Sequence, residues 1–205
     1  MARRSAEETR RHILDVAGDL FYSRGVRAVG MDLVINTAQV ANATLYRQFS
    51  TKDELVAAYL VDRNTAWWER LNQATSALPG ARERILALFD MTVTAMGQPG
   101  YRGCATLNVT NEFPDETHPA HRAASAHKRE VLHWLREQAG QAGSADPDAL
   151  ADQLLIILDG AQVLAAAMGP EGPSRRMMLL VESLLPGNGN ASPETDAARL
   201  EAHTR

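Results

Sequence analysis

Apolar residues recur at helical spacing from one end of this 205-residue chain to the other, and nowhere do they alternate with polar residues over a strand-length run. A period near 3.6 gathers such residues into one stripe along a helix, whereas a half-buried strand needs a period of two. The chain can therefore build a core only by laying helices against helices, and the expected fold class is all-α. Glycine and proline cut the pattern at Gly25, Pro79-Gly80, Gly97-Gln98-Pro99-Gly100, Pro114-Asp115, Asp146-Pro147, Gly169-Pro170 and Gly172-Pro173, which leaves about nine helices. With 45% of its residues apolar the chain has enough Leu, Val, Ile, Ala and Met to bury a core.

The local signals place the helices. Ser5 with Glu8 forms a capping box ahead of the stripe Ile13, Leu14, Ala17, Leu20 and Phe21, and Gly25 suits the helix's end. Two short segments follow, near 31–37 and 41–49, each too short to be stable without packing on something else. Thr51 then caps a long helix, with Glu54 completing a second box and Leu60, Trp67, Leu71, Ala74 and Leu78 on one face. Further helices are expected over 82–96, 104–113, 120–138, 147–168 and 174–185. The division expected is a head over 1–55, a larger body over 56–186, and a flexible tail over 187–205.

Composition narrows the classes. One cysteine, Cys104, excludes an internal disulfide framework and a Cys-rich zinc module. The start carries basic residues without an apolar core, and the longest uncharged run, Leu33 to Tyr46, is fourteen residues and includes Asn, Thr and Gln. A soluble, cytoplasmic protein is expected. The net charge of −4 weighs against nucleic acid if taken whole, but it is not evenly spread: residues 1–55 hold eight Lys/Arg against seven Asp/Glu, and the remainder holds 13 against 18.

Two short helices propped by a longer first one describe a helix-turn-helix, whose second helix enters the major groove of DNA. Leu33, Val34, Val40, Leu45 and Phe49 can hold the pair together, leaving Asn42, Thr44, Arg47 and Gln48 to face outward. Asn42 can pair with an adenine edge, Thr44 can meet a thymine methyl or a phosphate, and Arg47 can reach guanine or phosphate. The Tyr46 hydroxyl suits a phosphate oxygen, and Lys52 sits at a helix N-terminus that already favours anions. Arg27 precedes the first short helix as another phosphate clamp, and Gln39 in the turn adds a base or phosphate contact.

Residues 9–60 resemble the DNA-binding head of the TetR (tetracycline repressor) family of transcriptional regulators. The residues that carry the likeness are Arg11, Leu14, Ala17, Leu20, Phe21 and Gly25, then Ala38 and Val40, then Thr44-Leu45-Tyr46, Phe49, Lys52 and Leu55. The resemblance implies that Tyr46 and Lys52 touch phosphates, and that Asn42, Thr44 and Arg47 lie in or beside the groove. It also implies a homodimer reading a double-stranded, palindromic operator and released by a small-molecule effector. Three positions depart from the family: Gln39 stands at the usual turn glycine, Ala41 at the usual capping Ser, and Gly30 at a commonly capping Thr.

In the body, Tyr101-Arg102-Gly103-Cys104, Asn108, Glu112-Phe113-Pro114-Asp115, His118-Pro119 and Ala126-His127-Lys128 are similar to one subgroup of these regulators. An effector pocket needs apolar walls and a few polar groups, and the expected lining is Trp68, Leu71, Phe89, Thr92, Met96, Tyr101, Cys104, Leu107, Asn108, Trp134, Leu158 and Gln162. The apolar faces of the last two helices, Leu154, Ile157, Leu158, Ala161, Leu164 and Ala165 with Met177, Met178, Val181 and Leu184, are the expected two-fold interface. Glu112, Asp115, His118, His121 and His127 match no tight metal motif and read as a polar loop, and Cys104 reads as a small core residue rather than a sensor. No cofactor, metal or catalytic residue is expected. The rival class, a metal-dependent hydrolase, would have to be built on the Glu112–His127 group.

Overall fold

The computed structural model describes residues 5–187, and among them there are helices and no strand. The order is α1 (Ala6–Arg24), α2 (Met31–Ala38), α3 (Asn42–Gln48), α4 (Lys52–Thr75), α5 (Ala81–Met96), α6 (Ala105–Glu112), α7 (Pro119–Gln141), α8 (Pro147–Met168), a 3₁₀ turn (Pro173–Arg176) and α9 (Met177–Leu184). Both arms of the first capping box form: Ser5 Oγ accepts from the Glu8 N–H at 3.1 Å, and Glu8 accepts from the Ser5 N–H at 2.7 Å. At Thr51 only the forward arm does, because Glu54 turns back one residue further and takes the N–H and hydroxyl of Ser50 at 2.8 and 2.7 Å. α4 stops at Thr75 rather than at Pro79, so Leu78 lies in the following turn. Apart from Gly187, the tail expected over 187–205 lies outside the described residues.

The helices enclose two cores. The first joins Ile13, Ala17 and Phe21 of α1 to Val34, Leu45 and Phe49, and is completed by Leu55, Val56, Tyr59 and Leu60 of α4. The head's core thus runs past residue 55. Val109 of α6 and Ala120 of α7 also belong to it, so the head is seated on the body by shared apolar surface. The second core gathers Leu71, Ile85, Leu88, Phe89, Val131, Leu135, Leu154, Leu158 and Val181. α4 passes through both cores as a single rod.

α8 is long and apolar enough by composition to cross a bilayer, yet Leu150, Ala151, Leu154, Leu158, Ala161 and Ala165 are packed inside the body, as suits a core helix. That packing corrects the expected interface. Leu154, Leu158, Ala161, Ala165, Met177 and Val181 are core residues that a partner could reach only by opening the protomer. Ile157 and Met178 are half-buried, and of the expected set only Leu164 and Leu184 are exposed. The apolar surface left open is a different stripe: Ile156, Val163, Leu164 and Met168 on α8, with Leu179, Leu180 and Leu184 on α9. A 3.6-residue pattern this rich in Leu and Ala fits two faces, and only the packing of α5 and α7 says which one is used up.

Candidate nucleic-acid interface and body cavity

α2 and α3 are held as a helix-turn-helix by α1. Arg10 of α1 lies over the Phe49 ring at 4.1 Å and donates from Nη1 to the Gln48 carbonyl at 2.6 Å, while Gln48 Nε2 donates to the Ala6 carbonyl. The outward-facing role expected of Gln48 is therefore not taken; its side chain ties α3 back to α1. His12 of α1 bonds the carbonyl of Ala38, the last residue of α2, through Nε2 at 2.9 Å. Neither short helix has a side-chain cap, Gly30 and Ala41 being the N-cap residues. Between them Gln39 has φ 53°, ψ 45°, a left-handed conformation that costs an L-residue roughly 1–2 kcal/mol.

Of the expected contact residues, Arg27, Gln39, Asn42, Tyr46 and Arg47 are exposed, and Thr44 and Lys52 are half-buried. Asn42 is the first residue of α3 and Lys52 the first of α4, so both stand where backbone N–H groups point outward. Burial lowers the pKa of Lys52, Arg27 adds to the lowering, and Glu112 and Asp53 oppose it.

The head is latched to the body at two places. The Glu112 carboxylate, at the end of α6, accepts the backbone N–H groups of Val26 at 2.9 Å and Arg27 at 2.6 Å in the loop between α1 and α2. That approach requires Gly25: its φ is +89°, and a Cβ there would stand 3.1 Å from a Glu112 oxygen. The Tyr22 hydroxyl accepts the Arg102 N–H at 2.9 Å and donates to the Gly103 carbonyl at 3.0 Å, and Arg102 Nη1 returns to the Tyr22 carbonyl at 2.9 Å.

Tyr22 also lines a cavity of about 850 Å³ in the body. One face of α4, carrying Leu60, Arg63, Asn64, Trp67, Arg70 and Ala74, forms one wall, and Met91, Thr92, Tyr101, His127, Val131, Leu158 and Gln162 form others. Of the expected lining, Thr92, Tyr101, Cys104, Leu158 and Gln162 are present. Leu107 and Asn108 instead line a separate 320 Å³ depression that shares Cys104. Leu71, Phe89 and Met96 belong to the body's core, Trp134 packs on that core, and Trp68 donates its indole N–H to Glu130. For Trp68 the reason is one helical step of about 100° from Trp67, which faces the cavity.

The polar residues once grouped around Glu112 each have their own partner. Asp115 accepts from Thr117, His118 Nδ1 accepts the Ala120 N–H as the cap of α7, and His121 bonds the Phe113 carbonyl. His127 Nδ1 meets Asn64 Oδ1 at 2.5 Å, and burial, helped by Lys128, pushes its pKa down to about 4.

Known proteins share both halves of this arrangement. The domain described as bacterial regulatory proteins, tetR family, matches residues 13–59, and that described as tetracyclin repressor-like, C-terminal domain, matches 81–181. SCO4454, a TetR-family transcriptional regulator from Streptomyces coelicolor, superposes with a TM-score of 0.84 at 36% identity, over 87% of this chain and 94% of that one. This chain belongs to the TetR family of transcriptional regulators. The sav143 regulator from Streptomyces avermitilis gives a TM-score of 0.75 at 31% identity, over 86% of this chain and 97% of its own. The HTH-type transcriptional repressor NemR of Escherichia coli is 27% identical over 139 residues, 67% of this chain and 70% of that one.

As a TetR-family regulator the protein binds DNA through its helix-turn-helix, as the signature ending in Leu45-Tyr46, Phe49, Lys52 and Leu55 implied. The sequence reading missed Tyr22, Arg63, Asn64, Trp67, Arg70 and Lys128 on the cavity wall and Glu112 as a latch. For the α4 residues a signal existed: 60, 63, 64, 67, 70 and 74 fall on one helical face, part of which the stripe Leu60, Trp67, Ala74 already marked. For Glu112 none did, because its partners are backbone groups 85 and 86 residues away.

Proposed function

We propose that this protein is a homodimeric, cytoplasmic repressor that a small-molecule effector releases from a palindromic operator. The observation that carries the effector half is Tyr22. It belongs to the head's first helix, it lines the body cavity, and its hydroxyl and carbonyl are bound by Arg102 and Gly103. An occupant of the cavity that alters this corner shifts the balance between head positions that fit DNA and those that do not.

In this reading α3 enters the major groove with Asn42 reading a base edge, Thr44 and Arg47 beside it and Gln39 at the turn, while Tyr46, Lys52 and Arg27 hold phosphates. The exposed apolar stripe of Ile156, Val163, Leu164 and Met168 with Leu179, Leu180 and Leu184 supports the dimer. Two copies related by a two-fold axis would close it as a four-helix contact, and would present their α3 helices to half-sites a helical turn or a multiple apart. The body holds the division at residues 56–186 only approximately, since Leu55 to Leu60 serve the head.

The test is fluorescence anisotropy with DNA flanking the protein's own gene, over a range of salt. Binding should weaken linearly in log–log form; Lys52→Met, which removes two cations per dimer, should lower the slope by about two, and Tyr46→Phe should weaken binding at an unchanged slope. Asn42→Ala should change which sequences are preferred. Absence of salt-sensitive binding to any such fragment would refute the reading.

A further inference from the structure

The cavity reads as a site for something with a charge. Its walls are largely apolar, with Leu60, Trp67, Met91, Val131 and Leu158. Trp67 stands edge-on to both Trp68 and His127 at ring distances of 4.8 and 5.1 Å, which fixes an aromatic face inside the site. Such walls bind an apolar body, and at about 850 Å³ the space exceeds most drug-sized molecules.

The charged groups on these walls are unevenly matched. Lys128 is neutralised by Asp159 at 2.5 Å across α7 and α8. His127 is uncharged at neutral pH. Arg63 and Arg70, two helical turns apart on α4, line the cavity and have no carboxylate partner among the described residues. Arg63 lies over the Tyr22 and Tyr59 rings at 4.8 and 5.9 Å, and Arg70 makes no hydrogen bond or ion pair among the described residues. Partial burial and the repulsion of Arg63 lower the pKa of Arg70, and no acidic neighbour opposes them. Asp90, on α5, is also on the wall and forms no ion pair among the described residues. Tyr101 belongs to the same wall, with its hydroxyl buried and protonated.

We propose that the cavity takes an amphipathic organic anion, an apolar or aromatic body bearing one acidic headgroup, with Arg63 and Arg70 binding the headgroup. This rests on the cavity being the effector site. A guanidinium pair presents planar donors to a carboxylate or sulfonate, and a neutral or cationic guest would leave both charges unmet or repelled.

A matched pair of probes tests it on the full chain: 1-anilinonaphthalene-8-sulfonate and N-phenyl-1-naphthylamine, which share one aromatic body and differ by the sulfonate. Both fluoresce on entering apolar surroundings. The wild-type protein should bind the sulfonate at one site per protomer about tenfold more tightly than the amine, as a charge-assisted contact would give. Arg63→Gln with Arg70→Gln should remove that preference and leave the amine's affinity within about twofold, which also shows that the cavity is intact. Equal affinities in the wild type, a preference that survives the double substitution, or binding of neither probe would each overturn the proposal. The DNA assay separates the two readings. If the sulfonate binds as expected and operator affinity stays unchanged, the anion site stands and effector release falls. If the amine binds equally and releases DNA, effector release stands and the anion site falls.

Discussion

Replacing Glu112 by Gln tests the head–body latch with a change of one atom type. In the native protein both carboxylate oxygens are committed, to the Val26 N–H at 2.9 Å and the Arg27 N–H at 2.6 Å. A hydrogen bond to a charged acceptor contributes roughly 1.5–3 kcal/mol, and a neutral one about 0.5–1.5. Gln can keep one of the two bonds in its neutral form, and must then turn an NH₂ group toward the second N–H. The Arg27 N–H is exposed and can recruit water, whereas the Val26 N–H is partly buried and cannot do so fully. The expected loss is therefore about 2 kcal/mol, some thirtyfold in the unfolding equilibrium. Urea denaturation should show a lower midpoint at an unchanged slope, since no surface is exposed in the folded state. Glu112→Ala should cost more, because both donors lose their acceptor. Because the loop carries Arg27, proposed above as a phosphate contact, Glu112→Gln should also weaken operator binding. A stability change below about 0.5 kcal/mol would refute the assignment of Glu112 as a latch and place it among ordinary surface substitutions.

Other outcomes follow from the same contacts. His127 is neutral in the fold, its pKa held near 4 by burial and by Lys128, against about 6.5 when unfolded. The unfolded chain then binds the extra proton between those values, so stability is full above pH 6.5 and declines by up to about 3 kcal/mol as pH falls toward 4. Denaturation midpoints across that range should show the decline, and His127→Gln should flatten it. Gln39→Gly should raise the melting temperature by relieving about 1 kcal/mol of left-handed strain, yet weaken DNA binding if the side chain touches the operator. Ala41→Ser, which supplies the missing cap of α3, should add about 1 kcal/mol in a thermal melt. Leu180→Glu, on the exposed stripe of α9, should shift the protein from dimer to monomer in sedimentation and reduce operator affinity with it.

The sequence by itself determined the class of fold, the helix starts and the DNA-reading unit. Those depend on short-range physics. A capping box is complete within four residues, a stripe within two turns, and the run from Thr44 to Leu55 carries its family likeness in one uninterrupted segment. It also showed the two departures that leave α2 and α3 without side-chain caps. What it left open were choices between faces. The Leu- and Ala-rich pattern of α8 fits an outer or an inner side equally, and only packing against α5, α7 and α9 commits Leu154, Leu158 and Ala161 inward and leaves Ile156 and Val163 outside. Likewise Trp67 and Trp68 are chemically the same residue, and one helical step of about 100° sends the first to the cavity and the second to Glu130. The contacts that join the head to the body lie furthest from local rules. Glu112 meets the loop after α1, and Tyr22 meets Arg102 and Gly103, across 80 or more residues, and in each case a partner is a backbone group that any residue could supply. Side-chain identity cannot encode such a meeting; the shape of the folded chain does.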